Sequence, residues 1–265
     1  MTVTDDAVMH TPTPAPDALL RVDDLVKHYP IRSGLLRRQT GAVQAVSGVS
    51  FEVRRGETLG LVGESGCGKS TTGRVVMRLA DATEGTVTFD GVDVHAAKAS
   101  DLRALRRRMQ IVFQDPYASL DPRMRLDDLV AEPLRIHGDG DRARRRARAV
   151  ALLASVGLDP SLAGRRPHQV SGGQAQRVAI ARALATDPDL LVCDEAVSAL
   201  DAHHRAAVLA LLGRLKRERG LALLFVTHDP AAARALAERT ARLADGRIVA
   251  CGDTAQVLSG TPAVR

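Results

Sequence analysis

Aromatic side chains are scarce, at 2% of the 265 residues, and tryptophan is absent. A core of ordinary size must then be built mostly from leucine, valine and alanine. Long apolar runs are missing as well. None approaches the ~20 residues that a membrane-spanning helix requires, and the longest, such as LALLFV at 221–226, have strand length. Work at a membrane would leave the spanning to other chains. Cysteine is sparse and odd in number, with Cys67, Cys193 and Cys251 and no CxxC spacing. That argues against a disulfide framework or a zinc site and fits a reducing cytosol. The opening MTVTDDAVMHTPTPAPDA has two early aspartates and no apolar segment, so it does not read as a signal peptide. Its Thr/Pro content predicts a disordered tail over 1–18.

Basic residues outnumber acidic ones 37 to 31, for a net charge of +6. This permits nucleic acid or an anionic lipid surface as partner but is a weak signal over this length. Much of the excess is arginine in two runs, RALRRRM at 103–109 and RARRRARAV at 142–150. Both read as solvated helix faces. In the second, Ala149, Leu152, Leu153 and Val156 follow helical spacing, and Gly157 stands where the helix would stop.

From residue 19 to 95 the chain looks strand-rich, with alternation in VSFEVRRGE (49–57) and VTFDGVDV (87–94) and a hairpin signal at Asp90-Gly91. Four apolar runs then each hand over to polar residues: TLGLVG to ESGCGKS, MQIVF to Gln114, LLVC to Asp194-Glu195, and LALLFV to Thr227-His228. Short continuous runs of this kind are what parallel strands buried on both faces look like. Ligands of open parallel sheets bind at the carboxyl ends of the strands. Residues 115–170 carry no such run and read as an inserted helical lobe, and 241–253 as a hairpin turning at Asp245-Gly246. The fold class expected is α/β, with a mostly parallel sheet, an antiparallel β subdomain and the helical insertion.

GESGCGKS at 63–70 fits G-x-x-x-x-G-K-[ST] after a strand and before a helix, the context that gives the match its meaning. Its glycines let backbone N–H groups converge on phosphate oxygens at a helix N-terminus. Contacts to nucleotide are expected from Gly63, Glu64, Ser65, Gly66, Cys67, Gly68, Lys69, Ser70 and Thr71. Lys69 would reach the β- and γ-phosphates, Ser70 and Asp194 would hold Mg²⁺, and Glu195 would orient or deprotonate the attacking water. Gln114 and His228 would complete the cage around the γ-phosphate, with Gln114 also near the metal.

A second glycine pair lies far downstream in VSGGQ at 170–174. Ser171 and Gln174 have the spacing of a capping box, yet a cap needs no glycines. Gly172 and Gly173 leave N–H groups open to an anion. Since Lys69 and Asp194 already serve one triphosphate, this second helix end makes sense if it closes on nucleotide held by another subunit.

Together these residues resemble the ATP-binding cassette (ABC) ATPases, which have a P-loop NTPase (RecA-like) core. Walker A is at 63–70, the Q-loop glutamine is Gln114, the signature is 170–174, Walker B ends at Asp194-Glu195, the D-loop is SALD ending at Asp201, and the switch histidine is His228. The resemblance covers 19–257 and leaves 258–265 as a tail. It implies that two cassettes dimerise head to tail, each ATP lying between Walker A of one and the signature of the other, with Asp201 at that interface. It places Tyr29 where an aromatic stacks on adenine, with packing as the other reading of this residue. FQDPYASLDPRM at 113–124, HYPIRSGLLRRQTGAV at 28–43 and CDEAVSALD at 193–201 are most similar to the second of the paired ATPases of bacterial dipeptide and oligopeptide importers. Asp121, Val170 and AHHRAA after Asp201 depart from that pattern, and His203 and His204 are expected on a helix surface rather than on a metal. The relatives also continue past the position of Arg265.

The resemblance thus implies ATP and Mg²⁺ as cofactors. It implies as partners a second ABC ATPase, identical or paired, two transmembrane permease subunits and, indirectly, an extracytoplasmic solute-binding protein. It places the chain peripherally on the cytoplasmic face of the membrane, with no nucleic acid expected. The alternatives are an importer of nickel or another small solute, an exporter, a regulator without catalysis, and a soluble ABC ATPase acting on nucleic acid or the ribosome.

Overall fold

The computed structural model describes residues 18–33 and 38–259. Most of the expected tail over 1–18, part of the segment 28–43 and most of the tail 258–265 lie outside the described residues. The chain opens with strands β1 (Ala18–Ser33), β2 (Arg38–Arg54) and β3 (Thr58–Val62), helix α1 (Lys69–Val76), then β4 (Glu84–Phe89) and β5 (Val92–Asp93). Helix α2 (Ala99–Arg108) and β6 (Met109–Val112) lead into α3 (Pro116–Ser119), α4 (Leu126–His137), α5 (Arg142–Ser155) and α6 (Gly172–Ala183). The remainder is β7 (Leu190–Asp194), α7 (Ala202–Arg219), β8 (Ala222–Thr227), α8 (Pro230–Leu236), β9 (Arg239–Ala244), β10 (Arg247–Asp253) and α9 (Thr254–Ser259).

All four apolar runs are strands of one six-stranded sheet, ordered β10-β9-β3-β8-β7-β6. Strands β6, β7, β8, β3 and β9 are parallel, and β10 closes one edge antiparallel. The runs are apolar without interruption because both faces are covered. In β8, Ala222, Leu224 and Val226 belong to one core, while Leu223 and Phe225 belong to another. Strand β7 divides the same way, with Leu190 and Val192 on one side and Leu191 and Cys193 on the other.

The first core fills the space between this sheet and a four-stranded antiparallel sheet, ordered β2-β1-β4-β5, together with Val75 and Val76 of α1. The second lies under the helices. Ala149 of the second arginine run and Leu152, Leu153 and Val156 just after it are all buried there, and most of the neighbouring arginines face outward, as the spacing predicts. Leu126, Leu129, Val130 and Leu134 of α4 meet them, and both helices pack on Val178, Ala181 and Ala185 around α6. Asp127, 2% exposed, receives Arg125 and Arg146 and so ties α4 to α5. Two hairpins turn where the sequence signals them. Asp90-Gly91 and Asp245-Gly246 have φ of 49° and 78°, and 47° and 74°, the paired positive values of a tight turn whose twist matches the strands it joins.

Candidate functional site

Strand β3 ends at Val62 and α1 begins at Lys69, so Gly63–Gly68 must reverse the chain in six residues. Gly66 and Gly68 do so at φ 85° and 105°, where L side chains are strained. Space is as restrictive as conformation. A Cβ at Gly63 would lie 2.3 Å from the Leu243 carbonyl oxygen, and one at Gly68 would lie 2.2 Å from that of Ala45. The loop is therefore a cradle that backbone alone can form. With Gln44, Ala45 and residues 242–246 it lines a cleft of about 660 Å³.

Lys69 is 3% exposed, and its Nζ donates to the carbonyl oxygens of Gly63 (2.9 Å) and Glu64 (2.7 Å). Neutral acceptors hold this cation within its own loop. Phosphate oxygens would make stronger, charge-assisted bonds with it. Cys67 Sγ is 3.9 Å from the same Nζ and lines the cleft. Cys193, by contrast, is fully buried, and burial with neighbouring Asp194 pushes its thiol up to about 12. Alkylation of a Cys251→Ser variant is therefore expected to modify Cys67, block nucleotide binding, and be slowed by ATP. Full binding after stoichiometric modification of Cys67 would contradict this placement.

At the end of β7, Asp194 is 4% exposed and accepts a 2.6 Å hydrogen bond from the Ser70 hydroxyl. The Walker A and Walker B positions are thus already in contact. Hard oxygen donors of this kind suit Mg²⁺, which is commonly held by one or two protein oxygens together with phosphates and waters. Among the described residues no group of three His, Cys, Asp or Glu side chains could hold a metal. The donor set fits a cation that arrives with a phosphate ester.

Burial raises the Asp194 pKa above the ordinary value, partly offset by Ser70 and Arg74. Because its folded pKa lies above the unfolded one, ionised Asp194 costs stability above the folded pKa. That cost fades as pH falls toward the unfolded value. Asp194→Asn is expected to raise Tm of the nucleotide-free protein at neutral pH, by an amount that shrinks on acidification, while abolishing Mg²⁺-dependent turnover. A lowered Tm in calorimetry would contradict the cost assigned to this carboxylate.

Glu195 follows at φ 51°, an unfavourable backbone for a non-glycine residue and a form of strain found at functional sites. It is pinned there: its N–H donates to Val226 O (3.0 Å), and its carbonyl accepts from the N–H and hydroxyl of Ser198. The side chain meets His228, with Nδ1 of the imidazole 3.1 Å from Oε2. His228 follows β8 and Asp194 ends β7, so two adjacent parallel strands deliver the pair. Gln114 lies two residues beyond β6, the next strand, and is exposed. Tyr29, 39% exposed on β1, has Lys27 Nζ 4.9 Å from its ring centroid and does not line the cleft.

The second glycine pair starts α6 as a complete capping box. Ser171 Oγ accepts from the Gln174 N–H (3.3 Å), and Gln174 Oε1 accepts from the Ser171 N–H (3.0 Å). Gly173 is the constrained glycine. A Cβ there would lie 2.5 Å from Cδ2 of His204, whose ring is positioned by a 2.7 Å contact from Nδ1 to Asp201 Oδ2. Asp201 also caps α7 by accepting from the His204 N–H, and these bonds hold its carboxyl below the ordinary value. His203 stacks edge-on against His204 with centroids 5.7 Å apart. Both histidines are exposed helix residues, as expected, but they also line a cleft with Ser171, Gly173, Gln174 and Arg177. Sequence reading missed that placement, as it missed Ala45 and Leu243. The available signal for the histidines was the three-residue spacing from Asp201 to His204 at a helix start.

The two clefts share no lining residue. Within one chain the phosphate loop and the Ser171-Gly172-Gly173 segment belong to separate concavities. Ser70, Asp194, Glu195 and His228 gather beside the first motif, and Asp201 gathers beside the second.

The sequence profile of the ABC transporter family matches residues 46–198. The chain is 48% identical over 250 residues to a glutathione import ATP-binding protein of Pectobacterium atrosepticum, covering 94% of this chain and 40% of that protein. It is 46% identical over 234 residues to an oligopeptide transport ATP-binding protein of Bacillus subtilis, covering 88% of this chain and 71% of the relative. The chain thus spans about two fifths of the length of the glutathione-import relative. Among solved structures, a dimeric ATP-binding cassette in a post-hydrolysis state with ADP and Pi superposes with a TM-score of 0.78 at 32% identity, covering 89% of this chain and 98% of that one.

Proposed function

Because the chain belongs to the ABC transporter family, we propose that it is an ATP-hydrolysing subunit that powers a membrane importer, with small peptides as the transported solute. The observation that carries this reading is the separation of the phosphate loop from the capped glycine pair of α6 into two clefts. A chain built this way offers half of a nucleotide site at each of two places. A second cassette, identical or paired, would complete both halves by docking head to tail. Residues 19–257 would form the cassette, with 115–170 as its lobe.

In that arrangement the N–H groups of Gly63–Gly68 and the Lys69 ammonium bind the triphosphate, and Ser70 with Asp194 would hold Mg²⁺. The metal, when bound, would neutralise charge on the β- and γ-phosphates. Glu195, oriented by its pinned backbone and by His228, accepts a proton from the attacking water. Ser171 and Gly173 of the partner close over the γ-phosphate and exclude solvent. Gln114 connects this chemistry to the lobe. Asp115 caps α3, and the Tyr117 hydroxyl, one residue into α3, donates to the Val170 carbonyl (3.0 Å), directly before Ser171. A shift at Gln114 is thereby mechanically linked to the signature segment.

The peptide assignment rests on likeness to relatives named for glutathione and oligopeptide import. No described helix is long and apolar enough to cross a membrane. The reading therefore calls for two transmembrane permease subunits, with an extracytoplasmic solute-binding protein acting through them and this chain on the cytoplasmic face. The Ser171→Arg variant tests the half-site directly. ATP binding to the isolated chain should be unchanged, because Ser171 lies outside the phosphate-loop cleft, while turnover should be lost. Normal turnover in this variant would contradict a role for the segment in a shared site.

A further inference from the structure

The two arginine runs, far apart in sequence, meet in the fold. From α2, Arg103 reaches the Ile136 carbonyl at the end of α4, and Arg107 grips Asp139 through two bonds of 2.8 and 2.6 Å. From α5, Arg145 donates to Gly140 O (2.6 Å), the Arg144 stem folds over Gly140, and Arg148 reaches Asp187. Arg107, Arg144, Arg145 and Arg148 consequently line one cleft of about 250 Å³ beside Asp139 and Gly140. The carboxylates bordering this cleft are already committed, and Arg145 also borders a second cleft that holds Asp127, Asp128 and Glu132. Asp139 is engaged by Arg107, Asp187 by Arg148 and Arg219, and Asp141 by the N-terminus of α5. Among the described residues, Arg103, Arg144 and Arg145 have no carboxylate partner.

The field of this cluster is felt locally. Burial, then Arg107 and Arg103, pushes the His137 pKa below the ordinary value. An exposed apolar side chain accompanies the charges: Ile136 is 53% exposed, on the residue whose carbonyl Arg103 holds. Guanidinium forks match phosphate geometry, and an apolar side chain among them suits the headgroup boundary of a bilayer better than a free anion in water.

We propose that the face formed by Arg103, Arg107, Arg144, Arg145 and Arg148 with Ile136 docks on the anionic phospholipid surface of the membrane. This interaction is separate from nucleotide chemistry, and it requires neither clefts nor motifs of the ATP reading. Each basic residue near such a surface strengthens binding about five-fold, so removing three should weaken it about 100-fold.

The test is co-sedimentation of the purified chain with vesicles of phosphatidylglycerol and phosphatidylcholine, against phosphatidylcholine alone. A triple variant, Arg103→Gln, Arg144→Gln and Arg145→Gln, is compared with a charge-matched control, Arg123→Gln, Arg217→Gln and Arg247→Gln, at exposed positions elsewhere. The proposal expects binding to anionic vesicles only, weakened by salt, lost in the patch variant and kept in the control. Equal losses in both variants would reduce the effect to net charge and overturn it, as would absence of vesicle binding by the native chain. Tighter binding to duplex DNA than to vesicles, removed by the same patch substitutions, would assign the face to nucleic acid instead. Displacement from vesicles by low inorganic phosphate would assign it to a free anion. Thermal unfolding and ATP binding of the patch variant establish that it is folded and keep this result distinct from any failure of the transporter reading.

Discussion

Glu195→Gln is expected to lower ATP turnover by about 10²–10⁴-fold, the usual contribution of a positioned general base, while nucleotide binding persists. Glutamine preserves the shape of the side chain and can still contact His228 Nδ1, 3.1 Å away in the native chain. It cannot accept a proton from water. The strained φ of 51° and the bonds to Val226 and Ser198 belong to the backbone and survive the substitution. The variant should therefore fold normally and load ATP. With hydrolysis blocked, cassettes that close on ATP have no route to reopen, so a long-lived ATP-bound dimer should accumulate in light scattering. A Glu195→Gln protein that hydrolyses ATP at the native rate would remove Glu195 from the role of base.

Lys69→Ala is expected to weaken ATP binding by about 10²-fold or more, since two bonds from a charged donor are lost at about 1.5–3 kcal/mol each. Turnover should fall below detection. The effect on the fold is a separate matter. The Gly63 and Glu64 carbonyls would lose their shared donor, but Gly63, Gly66 and Gly68 would keep the reversal that makes the loop. Calorimetry should find a folded protein, and titration with a fluorescent nucleotide should find the loss. Native affinity in a folded Lys69→Ala protein would mean that the triphosphate does not lie against this lysine.

The parallel strands were legible because burial on both faces writes a continuous apolar run, and each run hands over to polar residues at its carboxyl end. Their spatial order was not. Nothing in the local pattern of 58–62 says that it pairs with 223–227 on one side and 239–242 on the other, because both partners lie far along the chain. The two Asp-Gly turns were readable from positive-φ chemistry alone. The coming together of His204 and Gly173, and of Ala45 and Gly68, was not. These are contacts through space between segments whose sequences give no sign of one another.

The arginine runs have the pattern of solvated helix faces, but Arg107, Arg108 and Arg146 reach Asp139, Asp189 and the buried Asp127 on other segments. Their convergence depended on how α2 meets the end of α4. Tyr29 shows the limit of a single residue. The structure places it within β1 with Lys27 as a ring contact, and stacking on adenine rests on resemblance.

The central claim is that one chain holds two separated halves of nucleotide sites. ATP turnover per chain, followed across a dilution series for the native protein and for Ser171→Arg, tests it most directly. The account predicts that native turnover per chain falls as the protein is diluted, and that Ser171→Arg binds ATP yet is inactive at every concentration. Turnover per chain that stays constant on dilution, with Ser171→Arg as active as the native protein, would contradict it.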